Sequence, residues 1–346
     1  MNDCRESTNS DRQRGGVTGR GRCAMRIESD LLRCPVCKGS LNEIEGGWRC
    51  ASCGLDYPLC DGFPDLVPPS ISSLKRSERS HYTDLIDFYL RMHETWKGSP
   101  FYNHVHDDFL GDLKRLPAGS LILEVGCGLG SDGLKLLRSG YRVVETEIAP
   151  GSLGEARRLH HDHGFSDSCA HLLADAENLP FAEGTFDGAF MVASLHHLQE
   201  PVSCLREIRR VIKPGGIFVL GTELNSWQHQ TIFPVGKRVI LFIYRMLGKG
   251  NYHPETVSEA DNLTEGFSAK ELQAMFKTAG FSSLELKPAG FLAAMLLFLE
   301  LEISSHIGRS TRLFPLESVA LKVDAFLERI SILAPYPWHW NAVAYV

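Results

Sequence analysis

Hydrophobic and polar positions follow two alternating periods along residues 120–223, and this alternation predicts a parallel β-sheet covered by helices. Short, almost uninterrupted apolar runs predict buried strands, and apolar residues every three or four positions predict amphipathic helices between them. The apolar runs are 121–125, 141–148, 171–175, 186–194 and 216–223. The helical segments lie near 131–139, 151–163 and 201–212. Strands and helices that alternate in this way are typical of an α/β fold with helices on both faces of the sheet.

Outside this core, the chain divides into segments of different composition. Residues 1–30 are rich in Ser, Gly and Arg, which predicts a disordered N-terminus in which Met25 is an alternative start. Residues 31–68 are dense in Cys, Gly and Pro and predict a compact unit, and residues 70–118 predict a helical linker or lid. The remaining domain, 119–346, includes helical insertions. After the core we expect insertions within 225–335, helices near 235–248, 268–279, 289–304 and 315–333, and strands at 282–289 and 340–346.

The charge balance and the apolar content narrow the class of protein. The 346 residues include 36 Lys and Arg against 42 Asp and Glu, a net charge of -6, so no overall basic excess favours nucleic acid. The longest uncharged apolar stretch, 288–299, is shorter than the roughly 20 residues of a membrane-spanning helix. The N-terminus has no apolar segment typical of a secretion signal. We therefore expect a cytoplasmic protein.

Four cysteines in the compact unit have the spacing of a metal site, C-x2-C-x12-C-x2-C. Each C-x2-C pair can form a tight turn that directs two thiolates at one ion, and four thiolates suit structural Zn²⁺. A closed site of this kind keeps no open position for a substrate, so the predicted zinc is structural and not catalytic. The predicted ligands are Cys34, Cys37, Cys50 and Cys53.

A glycine-rich turn follows the first strand of the core and is open to two interpretations. Gly126, Gly128 and Gly130 allow a ligand to approach the backbone closely. With Gly133, the turn also matches the GxGxxG pattern of dinucleotide-binding proteins, which is a weak signal alone. The acid at the strand end, Glu124, suits a ligand with a positively charged amine and does not suit a pyrophosphate. The acid favours the first kind of ligand, and an NAD site remains the alternative.

A second acid supports this choice. Asp175 ends the third predicted strand and is followed by the apolar positions of ENLPF, a combination that can accept a hydrogen bond from an adenine amine and pack against its ring. Taken together, residues 120–223 resemble a class I S-adenosylmethionine-dependent methyltransferase of the type 11 group. The resemblance rests on LEVGCGLG, VVETEIAP, ADAENLPFAEGTFDGAF, SLHHL and LREIRRVIKPGGIFVL. It covers about a third of the chain and implies a Rossmann-like sheet.

The resemblance also implies how S-adenosylmethionine is bound. The three glycines of the turn border its methionine part, and Glu124 faces its amino group. Glu147 holds the ribose hydroxyls, although the family more often has Asp at this position. Asp175 and Ala176 bind the adenine.

The cysteine-rich unit has a resemblance of its own. Its sequence, CPVCKGSL through WRCASCGLDYPLCDGFPDL, is similar to the Trm112-type zinc ribbon that accompanies or is fused to methyltransferases. A zinc ribbon ahead of this fold also occurs in ribosomal-RNA guanine methyltransferases. The resemblance therefore keeps two further roles open, recognition of RNA and docking of a protein partner.

Two pairs of histidines stand out in the sequence, and one of them is a candidate for the chemistry. His196 and His197 follow the fourth strand of the core at the edge where the acceptor is expected, so one of them is a candidate general base. The alternative is that the pair only fixes its loop. His104 and His106 precede two aspartates, and we expect these residues to be surface polar groups and not metal ligands.

The C-terminal insertions bear on the substrate. The segments 237–249 and 290–303 are strongly apolar, which indicates buried core, an apolar pocket or contact with a membrane surface. Such insertions favour a small or lipid-like acceptor over RNA. The sequence thus predicts methyl transfer to an O, N or C nucleophile of such an acceptor, with an RNA base methyltransferase and a non-catalytic scaffold as alternatives.

Overall fold

The structure is a computed structural model with two sheets, one small and one large. It describes residues 25, 27–228, 230–232, 234–235, 238, 258–260, 266–307 and 314–346. Most of the predicted N-terminal disorder and of the apolar segment 237–249 falls outside these residues. Within the described part of the chain, no helix is long and apolar enough to cross a membrane.

The small sheet is an antiparallel meander formed by the cysteine-rich unit. Its first turn places Gly46 at φ +79°, a conformation that favours glycine in a tight hairpin. The unit is docked on the large sheet by backbone hydrogen bonds, from the Arg33 amide to the Pro180 carbonyl at 2.9 Å and from the Leu66 amide to the Leu173 carbonyl at 2.9 Å. The strands are β1 (Leu41–Ile44), β2 (Gly47–Cys50), β3 (Asp56–Cys60) and β4 (Phe63–Pro64).

Three helices connect the two sheets, as predicted for 70–118. Ser72 caps the first by accepting from the Lys75 amide at 3.2 Å, and Ser99 caps the third by accepting from the Tyr102 amide at 3.1 Å. Pro100 occupies the first turn of the third helix, where its missing N–H has no helical partner to lose. The helices are α1 (Ser73–Asp84), α2 (Ile86–Trp96) and α3 (Pro100–Leu113).

The large sheet has seven strands in the order β10-β11-β9-β8-β5-β6-β7, and only β11 runs antiparallel to its neighbours. Its strands are β5 (Leu121–Val125), β6 (Arg142–Glu147), β7 (Cys169–Leu173), β8 (Phe186–Val192), β9 (Ile212–Leu224), β10 (Ser283–Ala289) and β11 (His339–Tyr345). The helices that accompany them are α4 (Ser131–Arg138), α5 (Pro150–Asp162), α6 (Pro201–Val211), α7 (Ala269–Ala279), α8 (Leu292–Ile307) and α9 (Phe314–Leu327). This arrangement confirms the predicted α/β fold.

One boundary differs from the prediction. The sequence 213–216, KPGG, predicts a turn before a strand at 216, but β9 already begins at Ile212. The pairing of β8 with β9 shifts register between Phe186 and Gly188, which accommodates the glycines within the strand. A Cβ on Gly216 would lie 2.6 Å from the carbonyl oxygen of Asp187, so close approach of the neighbouring backbone explains the glycine.

Candidate functional site

A cavity of about 570 Å³ lies at the carboxyl ends of the parallel strands, where the chain order of the sheet reverses between β5 and β8. Residues that end or follow β5, β6, β7 and β8 line one part of it, and side chains of α1, α2, α3 and α8 line the rest. Ligands of open α/β sheets bind at this position, and cavities of this size hold small molecules and cofactors. The cavity is therefore the candidate active site.

The glycine-rich turn forms one side of the cavity. Gly126 and Gly128 line it, at φ +69° and +51°, and the Gly126 amide donates to the Thr146 carbonyl at 2.8 Å. Gly130, at φ +75°, does not line the cavity. A Cβ on Gly130 would lie 2.8 Å from the Cβ of Ala156, so this glycine permits close packing of the turn against α5. Two of the three predicted glycines thus face the cavity.

Glu147 lies at the carboxyl end of β6, beside the turn, and lines the cavity. Its carboxylate accepts from three backbone amides, those of Gly128 at 3.0 Å, Ile148 at 2.7 Å and Ala149 at 3.1 Å. Burial raises the pKa of Glu147, although these three amides oppose the shift. The amides orient the carboxylate, and the lone pairs that they do not use can accept from ligand hydroxyls.

Asp175 and Ala176 follow β7 and line the cavity. Asp175 is buried, and one of its oxygens accepts from Lys75 of α1 at 2.7 Å and from the Asn178 amide group at 2.8 Å. Its other oxygen accepts from the Glu177 amide at 3.1 Å, and the Lys75 ammonium also lies 2.6 Å from the Glu177 carboxylate. Lys75 was not among the predicted residues, because nothing in its local sequence indicates a contact 100 positions away.

Glu124, at the end of β5, lines the cavity and is buried beside two other carboxylates. Burial raises the pKa of Glu124 well above its usual range, and the neighbouring Glu145 and Asp132 raise it further. Asp132 is instead paired with His106, whose Nδ1 lies 2.8 Å from its Oδ1. The expectation that His106 is a surface residue is wrong, since it is 4% exposed and lines the cavity. Burial therefore disfavours the ionised form of Glu124, and a cationic ligand beside it would favour that form.

The two histidines after β8 have different surroundings. His196 does not line the cavity, and its Nδ1 lies 2.7 Å from the buried carboxylate of Glu223. His197 lines the cavity, 3.8 Å from the Glu78 carboxylate and edge-on to the Tyr82 ring. Burial lowers the pKa of His197 well below its usual range, and His196 lowers it further. His197 is therefore neutral at physiological pH and can accept a proton, whereas His196 holds the loop to β9.

The far end of the cavity is apolar and aromatic. Its residues come from α2, α3, α8 and the segment before β11, and several pack ring against ring, such as Trp96 with Tyr102 at 6.3 Å and Phe298 with Trp338 at 6.1 Å. On α8 the opposite face bears exposed apolar side chains, including Leu292 and Met295. We call this region the aromatic end of the cavity; it comprises Trp96, Phe101, Tyr102, Leu297, Phe298 and Trp338.

The four predicted zinc ligands converge in the small sheet. Their sulfur atoms all lie within 4.8 Å of one another, with Cys34 and Cys53 3.7 Å apart and Cys37 and Cys50 3.5 Å apart. Burial alone would raise the pKa of Cys50, but the backbone amides of Cys53 and Ser52 lower it to about 6. Four convergent sulfurs, one of them readily ionised, fit a tetrahedral Zn²⁺. Zinc at this cluster stays a prediction.

Comparison with known proteins finds a methyltransferase domain in the middle of the chain. Residues 123–220 match the family model described as "Methyltransferase domain". A sterol 4-C-methyltransferase of Caenorhabditis elegans is 34% identical over 98 residues, which are 28% of this chain and 29% of that protein. A sterol 24-C-methyltransferase of Aspergillus fumigatus is 27% identical over 191 residues, 54% of this chain and 47% of that protein. The chain thus spans less than half the length of these relatives.

Solved structures share the fold. A phosphoethanolamine N-methyltransferase of Haemonchus contortus has a TM-score of 0.51 at 17% identity, over 80% of this chain and 61% of that one. The [4+2]-cyclase SpnF has a TM-score of 0.50 at 17% identity, over 81% of this chain and 97% of that one. Identities this low describe the fold alone, and the cyclase illustrates that one fold supports different reactions. The comparisons therefore identify residues 123–220 as similar to a methyltransferase domain, and the solved structures show that the fold around this segment is shared.

Proposed function

We propose that the protein transfers a methyl group from S-adenosylmethionine to an apolar, small or lipid-like acceptor. The observation that carries the proposal is that a single cavity joins the residues of the glycine-rich turn and its acids to the aromatic end. A transferase needs such an arrangement, because donor and acceptor must lie against each other with water excluded.

The residues at the polar end of the cavity fit S-adenosylmethionine. Glu124 lines this end of the cavity, and a carboxylate there suits the amino group of the methionine part. Glu147 has lone pairs for the ribose hydroxyls, and Asp175 with Ala176 lies where the adenine is expected. S-adenosylmethionine supplies the electrophilic methyl group; the chain itself binds, orients and desolvates the reactants.

The aromatic end supports an apolar acceptor. Its side chains offer large apolar surfaces and few hydrogen-bonding groups, so a hydrophobic molecule gains most from entering it. The curated relatives reported above include sterol methyltransferases by name, which agrees with an acceptor of this class. An RNA acceptor would instead require basic residues around its backbone phosphates, and the aromatic end supplies none.

His197 is the candidate base for an acceptor that must lose a proton. It lines the cavity, is neutral and has the Glu78 carboxylate 3.8 Å from its Nδ1, a group that would stabilise the protonated ring. His196 is assigned to loop positioning, since its hydrogen bond is made with Glu223 outside the cavity wall. An acceptor attacked at carbon or at a neutral amine would use His197 less.

The experiment has two parts. Calorimetric titration with S-adenosylmethionine, S-adenosylhomocysteine and NAD should give binding of the first two only, and Asp175→Ala should weaken both by about tenfold, the loss of one hydrogen bond to a charged group. Incubation with radiolabelled methyl donor should then label a lipid extract and leave total RNA unlabelled. Preferential binding of NAD would contradict S-adenosylmethionine as the cofactor. Labelling of RNA alone would contradict the proposed small or lipid-like acceptor.

A further inference from the structure

A second cluster of metal-ligating side chains lies against the glycine-rich turn and outside the wall of the cavity. It consists of one carboxylate, two imidazoles and one thiol, and none of the four residues lines the cavity. The pairing of the strands explains why these residues converge. Glu145 of β6 is paired with His171 of β7, and Cys169 points to the same face as His171 because the two are two positions apart. The residues are Glu145, His160, Cys169 and His171.

Two of the three distances from His171 Nε2 match the edges of a coordination tetrahedron, and the third, to His160 Nδ1, is shorter and has to lengthen by about 0.3 Å. His171 Nε2 lies 3.3 Å from a carboxylate oxygen of Glu145, 3.0 Å from His160 Nδ1 and 3.6 Å from Cys169 Sγ. Ligands held at the usual Zn²⁺ distances of about 2.0–2.3 Å are about 3.3–3.8 Å apart in tetrahedral geometry. All four donor atoms lie within 4.8 Å of one another, so an ion at the centre reaches each of them with small side-chain movements.

The imidazole of His160 is already oriented for a metal. Its Nε2 lies 2.9 Å from the carbonyl oxygen of Gly130, and because a carbonyl only accepts, Nε2 carries the proton. The lone pair is then on Nδ1, which faces the cluster. A histidine whose second nitrogen donates to a backbone carbonyl is the usual arrangement around protein-bound metal ions.

Glu145 supplies an independent indication of a missing cation. It is fully buried, and its two oxygens lie 3.3 Å from His160 Nε2 and 3.3 Å from His171 Nε2, contacts that do not have the geometry of a hydrogen bond. A buried carboxylate without hydrogen bonds is costly, and a directly bound cation removes the cost. Glu145 together with a Cys169 thiolate and two neutral imidazoles carries a charge that balances a divalent ion.

We propose that Glu145, His160, Cys169 and His171 form a second metal site that binds a divalent transition ion of the Zn²⁺ type. Four protein ligands fill a tetrahedral shell, so the site is structural. Its ion fastens α5 to β6 and β7 and, through the His160 contact with Gly130, holds the glycine-rich turn in place. The alternative is a metal-free network in which His171 donates to His160 and a protonated Glu124 shares its proton with Glu145.

The metal content of the 346-residue chain distinguishes the proposed metal site from the metal-free hydrogen-bond network. After saturation with Zn²⁺ and removal of loose ions, elemental analysis should give two equivalents per chain, one for the cysteines of the small sheet and one for this cluster. His171→Gln should reduce the content from two to one, whereas the matched variant His163→Gln, which changes an exposed histidine, should keep two. A metal content that is the same in the unmodified protein and in His171→Gln overturns the proposal.

Cobalt gives a second readout, because its absorption bands report the coordination geometry as well as the number of bound ions. Titration of the unmodified protein with Co²⁺ should saturate at two equivalents, with the absorption bands of tetrahedral cobalt for both. The double variant Cys34→Ser, Cys37→Ser should keep one tetrahedral Co²⁺ with a single thiolate. Saturation at one equivalent in the unmodified chain, or complete loss of tetrahedral cobalt in a folded double variant, means that the cluster is a hydrogen-bond network.

Discussion

The polar and the aromatic ends of the cavity are built in different ways. The polar end consists of short segments that directly follow parallel strands, so neighbouring strands bring Glu124, Glu147 and Asp175 together. The aromatic end is assembled from α2, α3, α8 and Trp338, which are separated by up to about 240 positions in the chain. The polar end therefore carries the motifs that resemble other methyltransferases, and in our proposal the aromatic end selects the acceptor.

The largest expected effect is on the rate of methyl transfer between a donor at the polar end and an acceptor at the aromatic end. His197→Gln should lower the single-turnover rate by about a hundredfold if the acceptor loses a proton to His197, the usual contribution of a general base. Because burial lowers the pKa of His197, the rate should stay level from pH 8 to 6.5 and fall only at lower pH, where the ring becomes protonated. His161→Gln, an exposed histidine on α5, is the control. Unchanged single-turnover rates would remove His197 from the mechanism.

Loss of an acid at the polar end should affect the cofactor alone. Glu147→Ala removes the acceptor for the ribose and leaves three backbone amides without their partner, so S-adenosylmethionine should bind about tenfold to a hundredfold more weakly, or about 1–3 kcal/mol. Calorimetry measures the affinity. Glu155→Ala, on the surface of α5, should bind normally, and a Glu147→Ala variant with normal affinity would contradict the assignment.

A truncation at the aromatic end should give the opposite pattern. Phe298→Ala removes a ring that packs on Trp338, so the KM for the acceptor should rise about tenfold while the Kd of S-adenosylmethionine changes less than twofold. Steady-state kinetics and calorimetry on the same preparation test both statements. Phe326→Ala, an exposed phenylalanine on α9, is the matched control. Equal losses in both quantities would show that the ends do not act separately.

The smallest expected effect is the release of a proton when S-adenosylmethionine binds. Burial raises the pKa of Glu124, which favours the protonated carboxyl in the free protein, and an ammonium beside it favours the ionised form. Binding of S-adenosylmethionine should therefore release up to one proton, and the release should decrease as the pH rises and Glu124 ionises in the free protein. Calorimetry in buffers of different ionisation enthalpy measures it. Glu124→Gln should abolish the release, and persistence of the release would assign it to another group.

The local parts of the molecule were predictable and the distant contacts were not. The strand 121–125 and the glycines after it follow from a pattern within ten residues, and the structure has the strand at these bounds. His106 resembled a surface residue because its neighbours are acidic, yet its partner Asp132 lies on another helix. Lys75 reaches Asp175 over 100 positions, and Glu145 meets two histidines of α5 and β7. Pairing of single polar residues across elements leaves no periodic signal in a sequence.

The docking of the small sheet has a consequence for how the chain avoids self-association. An edge strand presents unpaired amides and carbonyls to which another molecule can add a strand. At one edge of the large sheet, β10 contains Pro288 and alternating charged residues, which discourage such addition. At the other edge, β7 is apolar, and the segment at Asp65 and Leu66 pairs with its last residue, Leu173. The cysteine-rich unit therefore covers the end of this edge at Leu173, and we expect its unfolding to leave β7 more open to the addition of a strand from another molecule.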